Sequence, residues 1–212
     1  MKLLLREWRN RWQDNRIGWH QELGNASLKK HWSPLNRSCT VLVPLCGKSK
    51  DLVWLANIGH RVIGVEVSEI GARAFFLENN LIYKERTYKN LKIFEAINIQ
   101  VSIYCGDYFD YDLCDAEALY DRGSIVAIKP EIRSSYVDHT KSLLRQEAYK
   151  FIISLEYAEG FVEGPPYSIK PVEMLSYWSD LIVKDSYNDI ENSSPKFRKS
   201  GLNEVIETVW AS

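Results

Sequence analysis

Residues 41–51 read VLVPLCGKSKD, and the residues that follow continue as LVWLANIGH and then RVIGVEVSE, 61–69. The first three residues are aliphatic or β-branched, the run breaks at Pro44, and beyond Gly47 a polar turn leads into an amphipathic stretch. A strand entering a helix through a glycine-containing turn, followed at once by a second apolar run, is a βαβ unit. The second strand ends at Glu66. An acidic residue roughly 20 positions past the first turn, at a strand tip, can accept hydrogen bonds from ribose hydroxyls. It can equally be a solvated strand end.

The loop narrows the ligand. It lacks G-x-G-x-x-G, having only Gly47, and Gly47-Lys48-Ser49 lacks the upstream glycine of a P-loop. A dinucleotide or nucleoside triphosphate is therefore poorly served, and with it the reading as a nucleotide-dependent dehydrogenase. An adenosine cofactor without phosphates suits the loop better, and S-adenosylmethionine has that character.

Further along, VSIYCGD (101–107) and EALYDRG (117–123) read as strands, and SEIGARAFFLENNL (68–81) as a helix with Ser68 as N-cap and Ala72, Phe75 and Phe76 on its core side. Residues 83–100 are polar and irregular, with apolar bursts that suit an inserted hairpin. A helix is expected from Pro130, and KFIISLEY (150–157) reads as a strand buried on both faces. After the proline-stiffened FVEGPPYSIKP (161–171) come a short helix over 172–178 and two alternating stretches, DLIVKDSY and NEVIETVW. These suit an antiparallel hairpin at the sheet edge, joined by the polar, basic loop ENSSPKFRKSG.

The expected architecture is one α/β domain over 1–212: a doubly wound, mostly parallel, seven-stranded Rossmann-like sheet with an antiparallel edge strand. Residues 1–35 form an N-terminal helical lid within it. Trp8 and Trp12, four apart, share a helix face, and with Trp19 they could close over a planar ligand or simply dock the helix. In such a sheet ligands bind across the carboxyl ends of the strands, where Pro44–Gly47, Glu66, Asp107 and Asp121-Arg122 are all expected.

A formal net charge of −1 in 212 residues gives no electrostatic footprint for nucleic acid or an anionic membrane. No apolar run is long enough to span a bilayer, and MKLLLREWRN lacks the apolar centre of a signal peptide. Cys39, Cys46, Cys105 and Cys114 show no zinc spacing and read as reduced, mostly buried thiols. The expectation is a cytoplasmic monomer acting on a small molecule, with no metal.

Six blocks carry a family resemblance: EWxxRWxxNxIGWHQ at 7–21, VPLCGKSKD at 43–51, GHRVIGVEVSE at 59–69, IYCGDYFD at 103–110, YDRGSIVAIKPEIRSSY at 120–136 and EGPPYSI at 163–169. Together they resemble the thiopurine S-methyltransferase family, class I S-adenosylmethionine-dependent methyltransferases, over about residues 7–210. The resemblance implies that Leu45 and Gly47 lie along the cofactor, that Glu66 holds the ribose, and that Asp107 and Tyr108 border the adenine. Trp8 and Trp12 would enclose the cofactor. Arg122 would stand where cofactor and acceptor meet, and Arg198 would be a second, acceptor-side arginine with a catalytic role. Trp19, where the family often has phenylalanine, would face the acceptor, with Pro165, Pro166 and Tyr167 as another wall. The implied activity is methyl transfer to the sulfur of small aromatic or heterocyclic thiols such as thiopurines. Methylation of selenium or tellurium species, or cofactor binding without transfer, are the alternatives.

Overall fold

The computed structural model describes residues 2–33, 37–113 and 115–212. Cys114 and the last part of the 1–35 lid segment therefore lie outside, or end beside, the described residues. The chain folds as two compact units, Met1–Ala118 and Leu119–Ser212.

The first unit runs α1 (Lys2–Gln13), α2 (Ala26–His31), β1 (Thr40–Val43), α3 (Asp51–Asn57), β2 (Arg61–Glu66), α4 (Glu69–Glu78), β3 (Tyr83–Tyr88), β4 (Leu91–Ala96) and β5 (Val101–Cys105). β6 (Ala116–Arg122) begins in it and runs into the second unit. Its strand order is β3-β4-β5-β2-β1-β6. The expected βαβ unit is present: β1 pairs in parallel with β2, Val43 opposite Gly64, and β2 with β5, Glu66 opposite Cys105. Val41, Leu42, Val62 and Val65 are fully buried, each such side chain worth about 1.5–3 kcal/mol of transfer free energy. α4 starts where expected, Ser68 accepting the Gly71 N–H at 3.4 Å, and it buries Ala72, Phe75 and Phe76 completely.

The second unit continues with α5 (Pro130–Leu143), β7 (Leu144–Glu156), α6 (Pro171–Tyr177), β8 (Ile182–Asn188), α7 (Pro195–Lys199) and β9 (Ile206–Ala211), in the order β6-β7-β9-β8. β9 pairs antiparallel with both β7 and β8, which leaves β8 at the edge. Val209 and Trp210 of β9 are buried, the indole N–H donating to Ser154 Oγ at 2.8 Å.

Three expectations are corrected. There are nine strands among the described residues where seven were expected. Part of the excess lies in 83–100, where the expected inserted hairpin is present but regular throughout, β3 and β4 pairing antiparallel from Tyr83↔Ala96 to Tyr88↔Leu91. β3 escapes an apolar-alternation search because its four central residues are exposed, and cross-strand pairs such as Arg86–Glu95 at 3.1 Å support it instead. The basic loop near residue 195 contains α7, with Pro195 in its first turn and Phe197 buried.

Candidate active site

The residues after β1 hold an unusual backbone. Leu45 and Gly47 both take positive φ, 44° and 56°, a region costly for a residue with a side chain. The turn is held down by the Cys46 N–H, which donates to Val65 O at 3.0 Å, and by the Cys46 side chain, which lies against Gly64. A Cβ on Gly64 would sit 2.6 Å from Cys46 Sγ, so the glycine in the second strand exists to admit the loop. Burial pushes the Cys46 thiol well above its usual range and Cys105 up to about 12, which makes both packing residues rather than nucleophiles.

Glu66 is not a solvated strand end. It is 4% exposed; one carboxylate oxygen accepts the Gly47 N–H at 2.9 Å and the other the Ser68 N–H at 2.8 Å. The Trp12 side chain and the Val67 backbone N–H also donate to it. These donors are neutral, so burial dominates and lifts the carboxyl from 4.5 to about 7.

The N-terminal tryptophans form one cluster. Trp19 meets Trp8 edge-on at 5.2 Å and Trp12 at 5.8 Å. Trp12 lies over two glycines: a Cβ would approach its ring to 2.7 Å at Gly71 and 3.5 Å at Gly47. The Arg9 guanidinium donates to Val67 O at 3.4 Å, a second tether for α1. The loop after the tryptophans is pinned by Asp51, last residue of the opening motif, which accepts the Asn25 N–H at 2.7 Å and is 1% exposed. Burial and Lys48 lower the His20 pKa, and its Nε2 lies buried without a hydrogen bond, 3.6 Å from Glu22 Oε1. Asp107 and Tyr108 follow β5, where the Gly106 N–H donates to Glu66 O at 2.9 Å. The Asp107 carboxylate caps the short 3₁₀ turn Tyr108–Asp110 through the Phe109 N–H, and Tyr108 is buried. Trp8, Trp12, Trp19, Leu45, Gly47, Glu66, Asp107 and Tyr108 thus all belong to the first unit.

The remaining candidates belong to the second. Arg122 is the last residue of β6, and its charge bears on Glu207, a buried β9 carboxylate that Tyr187 also hydrogen-bonds. Pro165, Pro166 and Tyr167 are held by their backbone. Lys196 Nζ donates to Pro165 O at 2.7 Å, Tyr157 Oη to Pro166 O at 2.6 Å, and the Tyr167 N–H to Val126 O at 2.6 Å. The Tyr167 ring folds across Gly164, where a Cβ would lie 2.2 Å from it. Arg198, on α7, is 47% exposed and paired with Glu191 at 2.7 Å.

A family model described as thiopurine S-methyltransferase matches residues 4–212. The chain belongs to the thiopurine S-methyltransferase family. It is 40% identical over 212 residues to a probable thiopurine S-methyltransferase of Yarrowia lipolytica, and 35% over 209 residues to a thiopurine S-methyltransferase of Pseudomonas putida; each match covers 96% of both chains. The fold is that of a solved Burkholderia thailandensis 1,6-didemethyltoxoflavin N1-methyltransferase, with a TM-score of 0.64 at 16% identity over 100% of this chain and 88% of that one.

For a member of this family, four positions that serve the loops went unread in the sequence: Gly64, Gly71, Gly164 and Lys196. A glycine inside an apolar strand or helix, as at Gly64 and Gly71, signals a close approach, but what approaches, here Cys46 and Trp12, is visible only in the fold; Gly164 lies in the proline loop, under the Tyr167 ring. Lys196 carried no signal beyond belonging to a basic stretch.

Proposed function

We propose that this chain transfers the methyl group of S-adenosylmethionine to the sulfur of a small aromatic or heterocyclic thiol, acting as a single, monomeric, cytoplasmic domain. The observation that carries the reading is Glu66, a buried carboxylate at the tip of β2 facing the positive-φ turn of Leu45–Gly47. Family membership supports S-adenosylmethionine as the methyl donor, and the Burkholderia neighbour carries its demethylated product, S-adenosylhomocysteine. Among the described residues no helix is long and apolar enough to cross a membrane.

When bound, S-adenosylmethionine supplies a methyl carbon activated by a sulfonium. In this reading Glu66 accepts the ribose hydroxyls, the Leu45–Gly47 backbone lies along the amino-acid tail, and Asp107 and Tyr108 flank the adenine. Trp8 and Trp12 cover the cofactor and Trp19 the acceptor, excluding water. The methyl so supplied would pass to the acceptor's thiolate sulfur, the donor leaving as a neutral thioether and the thiol proton going to water. Thiolate is the attacking form. Arg122, and Arg198 if freed from Glu191, would stabilise that anion by the field of a guanidinium, a group that donates hydrogen bonds and does not serve as a base. Pro165–Tyr167 form a wall of the acceptor pocket.

The test is transfer of radiolabelled methyl to thiophenol, 6-mercaptopurine and selenophenol, alongside calorimetry with the cofactor. Label in the two thiols supports the reading. Label in the selenol alone would move the acceptor to selenium chemistry. Binding of the cofactor with no transfer to any of them would make the chain a binding protein.

A further inference from the structure

Asp121 stands immediately before Arg122 and is 1% exposed. One of its carboxylate oxygens accepts the Ile125 N–H at 3.0 Å and the Ser124 N–H at 3.2 Å; the other accepts the Tyr136 hydroxyl at 2.7 Å. The Ser124 hydroxyl also bonds to it. Taking a carboxylate out of water is expensive, and neutral donors offset that only in good geometry. Burial accordingly pushes its pKa up. What the carboxylate secures is a turn. It closes residues 121–125 on themselves, with Gly123 at φ 82° between the bonded ends.

The turn leads on to the acceptor wall. Ser124 O accepts the Ala127 N–H at 2.8 Å, opening the 3₁₀ turn Ile125–Ala127, and Val126 O accepts the Tyr167 N–H at 2.6 Å. Lys196 and Tyr157 clamp the same Pro165–Tyr167 segment through its other carbonyls. We propose that Asp121 is a positioning residue: its carboxylate locks the turn after β6 and so holds Arg122 and the Pro165–Tyr167 wall in one fixed geometry for the methyl acceptor. The inference rests on the proposed acceptor-side reading of Arg122.

The test uses the full chain, thiophenol as acceptor and saturating S-adenosylmethionine. Asp121→Asn keeps the shape and can still receive both N–H groups on one oxygen, but it turns the atom facing Tyr136 into a donor. The expected result is a roughly tenfold lower kcat/KM for the acceptor, carried mostly by KM, with cofactor Kd within twofold of wild type. Tyr136→Phe, which removes a single donor, should give a smaller loss of the same kind and serves where Asp121→Asn does not fold. The deciding measurement is the double variant. If Asp121 acts through Arg122, adding Asp121→Asn to Arg122→Met should cost less than it does alone. Acceptor kinetics unchanged in both single variants at Asp121 and Tyr136, or fully additive losses with Arg122→Met, would overturn the proposal while leaving the acceptor reading intact. An Arg122→Met variant with wild-type acceptor kinetics, or no thiophenol turnover at all, would overturn the acceptor reading and this proposal with it.

Discussion

Glu66 of the first unit and the Pro165–Tyr167 segment of the second are held in different ways. In the first, the side chain itself is fixed: Glu66 receives donors from the turn, the next helix and α1, all of it buried. In the second, what is fixed is backbone: Pro165, Pro166 and Tyr167 are bonded through main-chain atoms, and Arg198 pairs with the exposed Glu191. A buried side chain with every acceptor site engaged is costly to move, whereas a loop clamped by its main chain can change side chains without losing its hydrogen bonds.

The largest effect that would sharpen this contrast is a pH dependence. Burial raises the Glu66 carboxyl from 4.5 to about 7. Between those values the native chain keeps a proton that the unfolded chain has released, so the stability from this group is greatest below 4.5, falls as pH rises, and levels off above about 7. The full swing is at most roughly 3 kcal/mol. Urea midpoints between about pH 5 and pH 8 should therefore decline in the wild type, and Glu66→Gln should flatten the decline. Asp121 and Glu207 of the second unit are raised in the same direction by burial. A slope that survives Glu66→Gln and disappears in Glu207→Gln would break the comparison, because the strained carboxylate would then lie in the second unit.

Glu66→Ala should next cost about 1–3 kcal/mol of S-adenosylmethionine affinity, the scale for hydrogen bonds to a charged partner. Calorimetry would read this as a loss of roughly one to two decades in Kd, and equal affinity would remove Glu66 from the site.

How much of this was legible follows the same division. The βαβ unit, the Ser68 cap, the start of α5 at Pro130 and the β8–β9 pairing could be read because periodicity and turn residues are local signals. So could Glu66 as an acid at a strand tip, though its sealing by Trp12 could not, since that contact joins residues 54 apart in the chain. The hairpin in 83–100 was legible from its apolar bursts, but β3 itself, an exposed edge strand stabilised by charge pairs, has no apolar pattern, and α7 was missed because five residues are too few for a period. β7 begins with Leu144 and the exposed Arg145, Gln146 and Glu147, which carry no apolar signal, so only its buried later part read as strand.

Gly71→Ala tests the docking of α1. The new Cβ would lie 2.7 Å from the Trp12 ring, and overpacking of that kind costs about 1–3 kcal/mol. A gain of roughly 0.5–1 kcal/mol from alanine inside a helix partly offsets it. The net loss of about 1 kcal/mol should appear as faster proteolysis within residues 10–25. Added S-adenosylmethionine should slow that cleavage again if the tryptophans cover it. Cleavage at the wild-type rate would mean that α1 is held without Trp12.

The smallest effect concerns Arg198 and separates its two readings. As a surface ion pair with Glu191, at 47% and 77% exposure, it contributes about 0–1 kcal/mol of stability, so Arg198→Met should barely move the urea midpoint. Its catalytic reading needs the guanidinium to leave Glu191 for the acceptor. Glu191→Gln removes the competitor and keeps the arginine. If Arg198 stabilises the acceptor thiolate, Glu191→Gln should raise kcat/KM a few-fold for aryl thiols of high pKa, which depend most on a positive field, and little for those already ionised. Arg198→Met should lower the same values in the same order. If neither change alters the dependence on thiol pKa, Arg198 is a solvated charge on α7, and Arg122 is the only arginine of this pair with a field at the acceptor.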